Sequence, residues 1–446
     1  FFLMIRRPPR STLGPDTTLG RAARPESTRS HLTTPPTTAS SPTVRAWLVV
    51  ALLAGVACLN YLDRVILTTM RGSIISAIPM SDAQFGLLTS AFLWVYAFMS
   101  PVGGFLADRI SRTKVIIGSL LLWSAVTWLT AHATTFNGLL VTRLLMGLGE
   151  ACYIPAALAL ISDYHRGPTR SLATGIHMIG ISVGQGLGGL GGVLAERHDW
   201  TYPFTLFGGI GIAYSLLLLA VLRDVPTAPL ATGVAPVAPV GFWSTVRSLF
   251  RMPAYRFALA YWGLVSIGSW CVLGWLPTLL GERFSLSQGT AGMSATGYLQ
   301  PAAWVGLIVG GMWSDFASRR NPRGRLYVTI VGLCIAAPAI YLGTNATVLW
   351  AAIAGFMVWS FGLAFANANM MPILCLIADQ RHRATGYGIL NLCSTSIGGA
   401  TIYLGGALRD ARIPVTVIFN ASVFILLICC VLLYLIKLPP GAAAKS

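Results

Sequence analysis

The stretch GFLADRISRTK, residues 104–114, stands between two long apolar runs, and a related stretch, GMWSDFASRR, occupies residues 311–320. In both stretches a Gly is followed four residues later by an Asp and eight residues later by an Arg. Each stretch follows the second apolar run of its half of the chain, a little over two hundred residues apart. The repetition predicts a protein built from two related halves.

The apolar runs around these stretches indicate a membrane protein. Of 446 residues, 55% are hydrophobic and 10% are charged, whereas a soluble domain carries about 25% charged residues. Each run is long enough to cross roughly 30 Å of hydrocarbon as a helix, and only helices or closed barrels satisfy their backbone in lipid. We predict an all-α membrane protein with twelve transmembrane helices in two pseudo-symmetric six-helix bundles, at 46–70, 83–105, 115–134, 138–162, 171–195, 202–222, 257–280, 290–313, 327–343, 347–372, 384–408 and 413–436.

The remaining segments set the domain boundaries. Residues 1–44 are rich in Arg, Ser, Thr and Pro, and their first thirteen residues, FFLMIRRPPRSTL, resemble a translated sequencing adapter. We expect this segment to be non-native and disordered. The other predicted units are an N-terminal bundle, a cytoplasmic linker, a C-terminal bundle and a cytoplasmic tail, at 45–222, 223–256, 257–437 and 438–446.

The basic residues predict the orientation. The net charge is +17, but after residue 44 eighteen Lys and Arg residues fall in the termini and loops on one side of the predicted membrane and five on the other. This bias places both termini in the cytoplasm and explains the charge without nucleic acid. The eight cysteines lie in apolar stretches, and we expect no metal site, no cofactor and no enzymatic activity. The expected location is a bacterial inner membrane.

Further repeats strengthen the two-half interpretation: Arg170-Ser-Leu-Ala-Thr-Gly175 recurs as Arg381-His-Arg-Ala-Thr-Gly386. With residues 104–114 and 311–320, this pattern resembles the major facilitator superfamily, and the resemblance covers 45–437. The resemblance implies a gating motif that holds the cytoplasmic ends of the bundles together in the outward-open state. The alternative is that these charges only determine the orientation of the helices in the membrane. The implied motif residues are Gly104, Asp108, Arg109, Arg112, Lys114, Arg170, Gly311, Asp315, Arg319 and Arg320.

Four charges lie inside predicted helices 1 and 4: Asp63, Arg64, Arg143 and Glu150. Charges at bilayer depth are expensive, so each is a functional hypothesis. Asp63 and Arg143 fall at similar depth, and Glu150 lies two helical turns from Arg143 on the same face. A carboxylate that pairs either with Arg143 or with a proton is a physical basis for proton coupling. The alternative is a static ion pair between helices 1 and 4, and for Arg64 an anion ligand or a side chain that snorkels to the membrane surface.

The sequence around these charges, Asn60-Tyr-Leu-Asp-Arg64 with Arg143-x-x-x-Gly-x-Gly-Glu150, resembles the anion:cation symporter and spinster-like branches of that superfamily. The resemblance implies proton coupling by Asp63, Glu150 and Arg143. Residues at mid-membrane are candidates for substrate binding, with helix–helix hydrogen bonds as the alternative. These candidates are Arg64, Arg143, Tyr61, His177, Gln185, Asn367 and Asn391.

Together these features predict a secondary active transporter that works by alternating access as a functional monomer. The predicted partners are protons, the lipid bilayer and a small-molecule substrate. The leading hypothesis is proton-coupled symport of a small organic anion, such as a sugar acid or another carboxylate. A spinster-like exporter of a lysolipid or similar amphiphile is the first alternative. A membrane-embedded sensor or receptor is an alternative of another class.

Overall fold

The computed structural model of the chain describes residues 44–165, 169–224, 242–378 and 382–438, without the side chains at 104, 105, 107–109, 170, 171, 242, 383 and 384. Most of the predicted segment 1–44, residues 225–241 of the linker and most of the tail lie outside the described residues. The described ranges form seventeen α-helices. These are α1 (Val44–Thr69), α2 (Arg71–Ala77), α3 (Asp82–Arg109), α4 (Arg112–Thr130), α5 (Phe136–Glu150), α6 (Tyr153–Tyr164), α7 (Arg170–Leu187), α8 (Leu190–Arg197), α9 (Thr201–Val221), α10 (Phe242–Arg251), α11 (Pro253–Phe284), α12 (Gln288–Thr296), α13 (Leu299–Arg320), α14 (Gly324–Asn345), α15 (Leu349–Ile377), α16 (Arg383–Asp410) and α17 (Thr416–Leu435).

Each of the twelve predicted helices has a counterpart. Among the described residues, ten helices or helix pairs are long and apolar enough to cross a membrane. The eighth and eleventh positions are held by α12–α13 and α16, which are less apolar. The predicted all-α membrane fold is therefore confirmed. Two short helices, α2 and α10, had no counterpart among the predictions, and α10 lies inside the predicted linker.

Three of the predicted helices are broken, and local sequence explains each break. A proline ring clashes with the carbonyl four residues earlier. Pro155 therefore ends α5 near Ala151, and Pro301 ends α12 near Gly297. The break between α7 and α8 falls at the Gly188–Gly189 pair, where each glycine costs the helix about 1 kcal/mol relative to alanine.

The helices form two halves, α1–α9 and α11–α17, with α10 between them. We call the end of the bundle where α1 begins and α17 ends the terminus end, and the opposite end the far end. The halves meet through α3 with α16, α8 with α12, and α1 with α11. Glycines allow the close contact: a Cβ on Gly86 would stand 2.8 Å from the Ile402 carbonyl oxygen, and one on Gly192 would stand 2.8 Å from that of Gln288.

At the far end each half caps a helix of the other half. The Asp410 carboxylate, at the end of α16, accepts hydrogen bonds from the backbone N–H groups of Asp82 (2.8 Å) and Ala83 (2.9 Å) at the start of α3. The Glu196 carboxylate, near the end of α8, accepts one from the Gly289 N–H (2.7 Å) at the start of α12. A carboxylate at a helix N-terminus satisfies free donors and complements the helix dipole. The pseudo-symmetry of the sequence therefore reappears as a reciprocal pair of caps.

Candidate functional site

A buried ion pair joins α1 to α5. The Arg64 Nε donates to the Glu150 Oε2 at 2.7 Å, and the two side chains are 6% and 0% exposed. The Arg64 guanidinium also lies against three aromatic rings, 4.6 Å from the centre of Tyr61, 5.2 Å from Phe92 and 4.2 Å from Tyr96. Such cation–π contacts help to hold a charge away from water. The expectation that Arg64 snorkels to the membrane surface is therefore wrong, because its side chain is turned inward and paired.

Asp63 and Arg143 lie beside this pair but do not bond to each other. The Asp63 Oδ2 accepts from the Thr127 hydroxyl at 3.3 Å, and its Oδ1 has no hydrogen-bond partner among the described residues. The Arg143 Nη2 donates to the Thr130 hydroxyl at 3.4 Å, and its guanidinium lies 5.5 Å from the Phe204 ring centre. Within the described residues no ion pair joins Asp63 to Arg143, so the helix 1–helix 4 pair uses the other two charges. The two acids and two arginines balance in charge.

The local sequence explains how Glu150 reaches Arg64. Glu150 is the last residue of α5, directly before the break that Pro155 imposes. The α5 backbone lies close to α3, since a Cβ on Gly147 would stand 2.7 Å from the Phe92 carbonyl oxygen. At Gly149 the carbonyl accepts a hydrogen bond from the Ser119 hydroxyl of α4. The break and the small residues thus position the carboxylate in the middle of the first half.

A cavity of about 370 Å³ lies between the halves next to this cluster. Most of its lining comes from α11, α12, α13 and α15 in the second half, with no charged side chain among the described lining residues. Tyr61 lines the cavity and its ring also packs against Arg64, so this residue contacts both the cavity and the ion pair. Three tryptophans and three of the predicted binding candidates line it, namely Trp262, Trp270, Trp359, Tyr61, Gln185 and Asn367.

The other four predicted candidates are not among the residues that line this cavity. Two of them, Arg64 and Arg143, belong to the charged cluster described above, and the others are His177 and Asn391. His177 is fully buried in the first half, and its Nε2 lies 2.9 Å from the Tyr153 hydroxyl. That hydroxyl donates to the Leu53 carbonyl at 2.7 Å, so the His177 Nε2 carries the proton and donates to Tyr153. Asn391 is partly buried on α16. The binding roles of both residues stay predictions.

The predicted gating residues at the terminus end make contacts within their own halves. Arg112 forms an ion pair with Asp163 of α6 and donates to the Ala159 carbonyl at 3.1 Å. In the second copy, Asp315 pairs with Arg325 of α14 at 2.8 Å. Arg319, Arg320 and Lys114 are exposed, and Gly311 is half-buried. The side chains of Asp108, Arg109 and Arg170, and the surroundings of Gly104, lie outside what the structure describes.

Three connected ion pairs that the sequence did not suggest lie at the far end, and one of them joins the halves. Asp82 of α3 pairs with Arg71 of α2 and, at 2.9 Å, with Arg409 of α16. Arg409 also pairs with Glu282 of α11 at 2.6 Å. From the sequence, Arg71 and Arg409 were interpreted only as charges in the loops between the predicted helices. The sequence did contain a signal for the reciprocal caps. In each half one helix begins after a serine, Ser81 or Ser287, and another has an acid at or near its end, Glu196 or Asp410.

Comparison with known proteins agrees with this architecture. The model of the Major Facilitator Superfamily matches residues 53–403. Protein spinster homolog 1 of Homo sapiens is 27% identical over 388 residues, covering 82% of this chain and 73% of that protein. An MFS-type efflux pump of Mycolicibacterium smegmatis is 26% identical over 377 residues, covering 82% and 85%. The same fold occurs in a bacterial homologue of the human lysosomal transporter Spinster, which was solved in an inward-facing and unoccupied conformation. The TM-score is 0.76 and the sequence identity is 23%, and the match covers 91% of this chain and 98% of that one.

Proposed function

Because this chain belongs to the major facilitator superfamily, it is a membrane transporter rather than an enzyme, and we propose that it couples substrate movement to protons by alternating access. The observation that carries the proposal is the contact of Tyr61 with both the cavity, which it lines, and the buried Arg64–Glu150 pair. Charge inside a membrane bundle is retained where function requires it. A substrate in this cavity contacts the residue that packs against the ion pair, which links binding to protonation.

The proposed coupling uses the two acids as proton acceptors. Protonation of Glu150 removes the negative charge that Arg64 neutralises, and Arg64 then becomes available to an anionic group. Loss of the proton restores the ion pair. Asp63 provides a second acceptor, since one of its oxygens has no hydrogen-bond partner among the described residues, and Arg143 lies next to it with a compensating charge. Binding energy that differs between two states is what shifts a population from one to the other.

The lining of the cavity supports an amphiphile as the substrate. Trp262, Trp270 and Trp359, with aliphatic side chains between them, offer an apolar wall, and the polar groups among the described lining residues are uncharged. An apolar wall with a few polar groups fits a ligand with an apolar body and a polar end. We therefore favour a lysolipid or similar amphiphile as the substrate, and a spinster-like exporter as the type of transporter.

A small organic anion is the second candidate. The Arg64 Nη2 is buried and has no hydrogen-bond partner among the described residues, and the cavity-lining Tyr61 lies directly beneath the guanidinium. An arginine with free donors is suited to a carboxylate. This geometry supports proton-coupled symport of a sugar acid or another carboxylate.

We propose that both termini face the cytoplasm and that a monomer is sufficient for transport. The split of eighteen Lys and Arg residues to five supports this orientation. The far-end contacts between the halves then close the extracytoplasmic side. The alternate state opens that side and closes the terminus end.

Flux assays in proteoliposomes test the coupling and the substrate together. Labelled lysophospholipids and a panel of labelled organic acids are compared with and without a proton gradient, for wild type, Glu150→Gln and Asp63→Asn. We expect gradient-dependent movement of one class, reduced to the level of empty vesicles in Glu150→Gln. The control is Asp199→Asn, which alters an exposed carboxylate that accepts hydrogen bonds from the Thr201 and Tyr202 N–H groups at the start of α9. It should leave flux within about twofold, because an Asn side chain accepts the same hydrogen bonds.

Each outcome separates the alternatives. Movement of lysophospholipid alone favours the amphiphile exporter, and movement of an acid alone favours the symporter. Flux that keeps its full proton dependence in both Glu150→Gln and Asp63→Asn contradicts the coupling proposal. Ligand binding without any flux would identify a sensor or receptor instead.

A further inference from the structure

A second cavity, of about 610 Å³, lies at the terminus end of the second half. The ends of four helices surround it: α10, the start of α11, and the last turns of α15 and α17. These ends are where spans leave the hydrocarbon, so the cavity lies at the depth of lipid headgroups. It is separate from the cavity between the halves and has no role in the proposed transport mechanism.

The lining of this cavity combines two cations with an apolar wall. Arg251, at the end of α10, and Lys437, just after α17, supply the positive charges. Phe257, Ile377 and Leu435 belong to the apolar remainder. No acidic residue is among the described residues that line it, so the two charges are not neutralised from within the cavity.

The helix that contributes Arg251 has the character of an interfacial helix. One face of α10 packs on the protein, since Thr245 is 3% and Leu249 0% exposed. The opposite face carries Trp243, which is 79% exposed, with Arg247 and Arg251 one and two turns further on. An exposed aromatic residue followed by basic residues on the same face is typical of a helix that lies in the membrane interface.

From this arrangement we infer that the cavity is a binding site for an anionic phospholipid. The phosphodiester group lies between Arg251 and Lys437, and an acyl chain follows the wall formed by Phe257, Ile377 and Leu435. Charge complementarity selects an anionic headgroup over a zwitterionic one, and basic pockets between the ends of transmembrane helices bind such headgroups. The inference does not depend on which substrate the protein transports.

Native mass spectrometry of the detergent-solubilised full chain tests the site. The probes are phosphatidylglycerol and phosphatidylcholine with identical acyl chains, titrated against wild type and Arg251→Gln/Lys437→Gln. We expect wild type to prefer phosphatidylglycerol and the double variant to bind it roughly thirtyfold more weakly, from the contribution of one basic residue to anionic-lipid binding taken twice. Binding of phosphatidylcholine should not change.

The matched control is Arg45→Gln/Arg223→Gln, which removes the same charge from two exposed arginines of the first half at the terminus end. It should bind phosphatidylglycerol within about threefold of wild type, because a localised site does not depend on distant charges. Equal weakening in both double variants would overturn the proposal in favour of diffuse attraction, as would equal wild-type affinity for the two lipids. Phosphatidylglycerol binding that appears only after deletion of residues 439–446 would show that the tail occupies the cavity, and would also overturn it. Unfolding temperatures measured without added lipid identify any variant that has lost its fold. If the double variant Arg251→Gln/Lys437→Gln has lost its fold, the single substitutions Arg251→Gln and Lys437→Gln are tested instead. Each is expected to weaken phosphatidylglycerol binding roughly fivefold.

Discussion

The two ends of the bundle use similar contacts but connect different partners. At the far end, carboxylates near the ends of α8 and α16 cap helices of the opposite half. At the terminus end, Asp224 after α9 accepts from the Thr113 N–H at the start of α4 (2.9 Å), and the Ile436 carbonyl after α17 accepts from Arg323 (2.9 Å), both within one half. The hydrogen bonds that join the halves, such as Ser73–Gln288, Ser90–Gly399 and Thr296–Gly186, lie from the middle of the bundle to the far end.

In the proposed alternating-access cycle, this difference lets the halves separate at one end while the contacts within each half are kept. Caps within a half keep their partners when the halves move apart, so opening the terminus end leaves few polar groups unsatisfied. Opening the far end breaks the reciprocal caps and the Asp82–Arg409 ion pair. Each charged hydrogen bond contributes roughly 1.5–3 kcal/mol. The structure is therefore in a state that is closed at the far end, and the alternate state must offset these losses.

The largest expected effect comes from a covalent lock across the far end. The Gln288 Nε2 donates to the Ser73 hydroxyl at 2.9 Å, across the two halves. A short bifunctional thiol cross-linker between Ser73→Cys and Gln288→Cys, with the eight native cysteines replaced, should abolish flux because the far end can no longer open. Flux in proteoliposomes before and after cleavage of the cross-link measures the effect.

The matched control for that lock joins two residues of one half. Asn345→Cys and Asn420→Cys, whose native side chains are 2.8 Å apart within the second half, should be cross-linked without loss of flux. Full flux through a locked far end would contradict the assignment of that end as a gate. Loss of flux in the control would show that movement within a half is also required.

A smaller effect is expected from Asp82→Asn. This change removes the charge between Arg71 and Arg409. We expect the state that is closed at the far end to lose about 1.4 kcal/mol of stability relative to the state that is open there, which is a tenfold shift in their populations. Distances between spin labels on the far ends of the two halves, measured by pulsed electron resonance, report the two populations. Asp199→Asn, which changes an exposed carboxylate bonded to the start of α9 in its own half, is the control and should leave the distances unchanged. An equal shift in both variants would therefore contradict the comparison.

The smallest effect is expected from Asp224→Ala. Partial burial raises the pKa of the Asp224 carboxyl, but hydrogen bonds from Ser111 and Thr113 and the charge of Arg112 outweigh it, and the pKa lies below its ordinary value. A group with a lowered pKa stabilises the fold above the ordinary Asp pKa of about 3.9, and this stabilisation is lost as the pH falls through the lowered value. Loss of the cap should cost about 1 kcal/mol at neutral pH.

Thermal unfolding in detergent at neutral pH and at about pH 3.5 checks this sign. The difference between wild type and Asp224→Ala should shrink at the lower pH, where the wild-type carboxylate begins to lose its charge. A difference that grows on acidification would contradict it. Flux at neutral pH should be little changed, because this cap lies within one half.

Much of the fold was predictable because membrane helices depend on local properties. An apolar run of about twenty residues must form a helix in lipid whatever surrounds it, so the twelve predicted helices have counterparts. The helix breaks at Ala151 and Gly297 were less evident, because a proline does not by itself identify a break in this chain. Pro101, Pro277, Pro338 and Pro372 lie inside continuous helices. The short helix α10 had no long apolar run to identify it.

The sequence by itself determined the membrane fold, the two related halves and the presence of four charges in helices 1 and 4, because periodicity and composition act along the chain. Only the tertiary structure decided which charges pair: Arg64 bonds to Glu150, and Asp63 and Arg143 lie beside Thr127 and Thr130. Partner choice depends on how helices rotate and approach one another, and small residues such as Gly147 control this approach. The far-end ion pairs joining Asp82, Arg409 and Glu282 likewise arise from packing between segments hundreds of residues apart, where sequence spacing carries no information about distance.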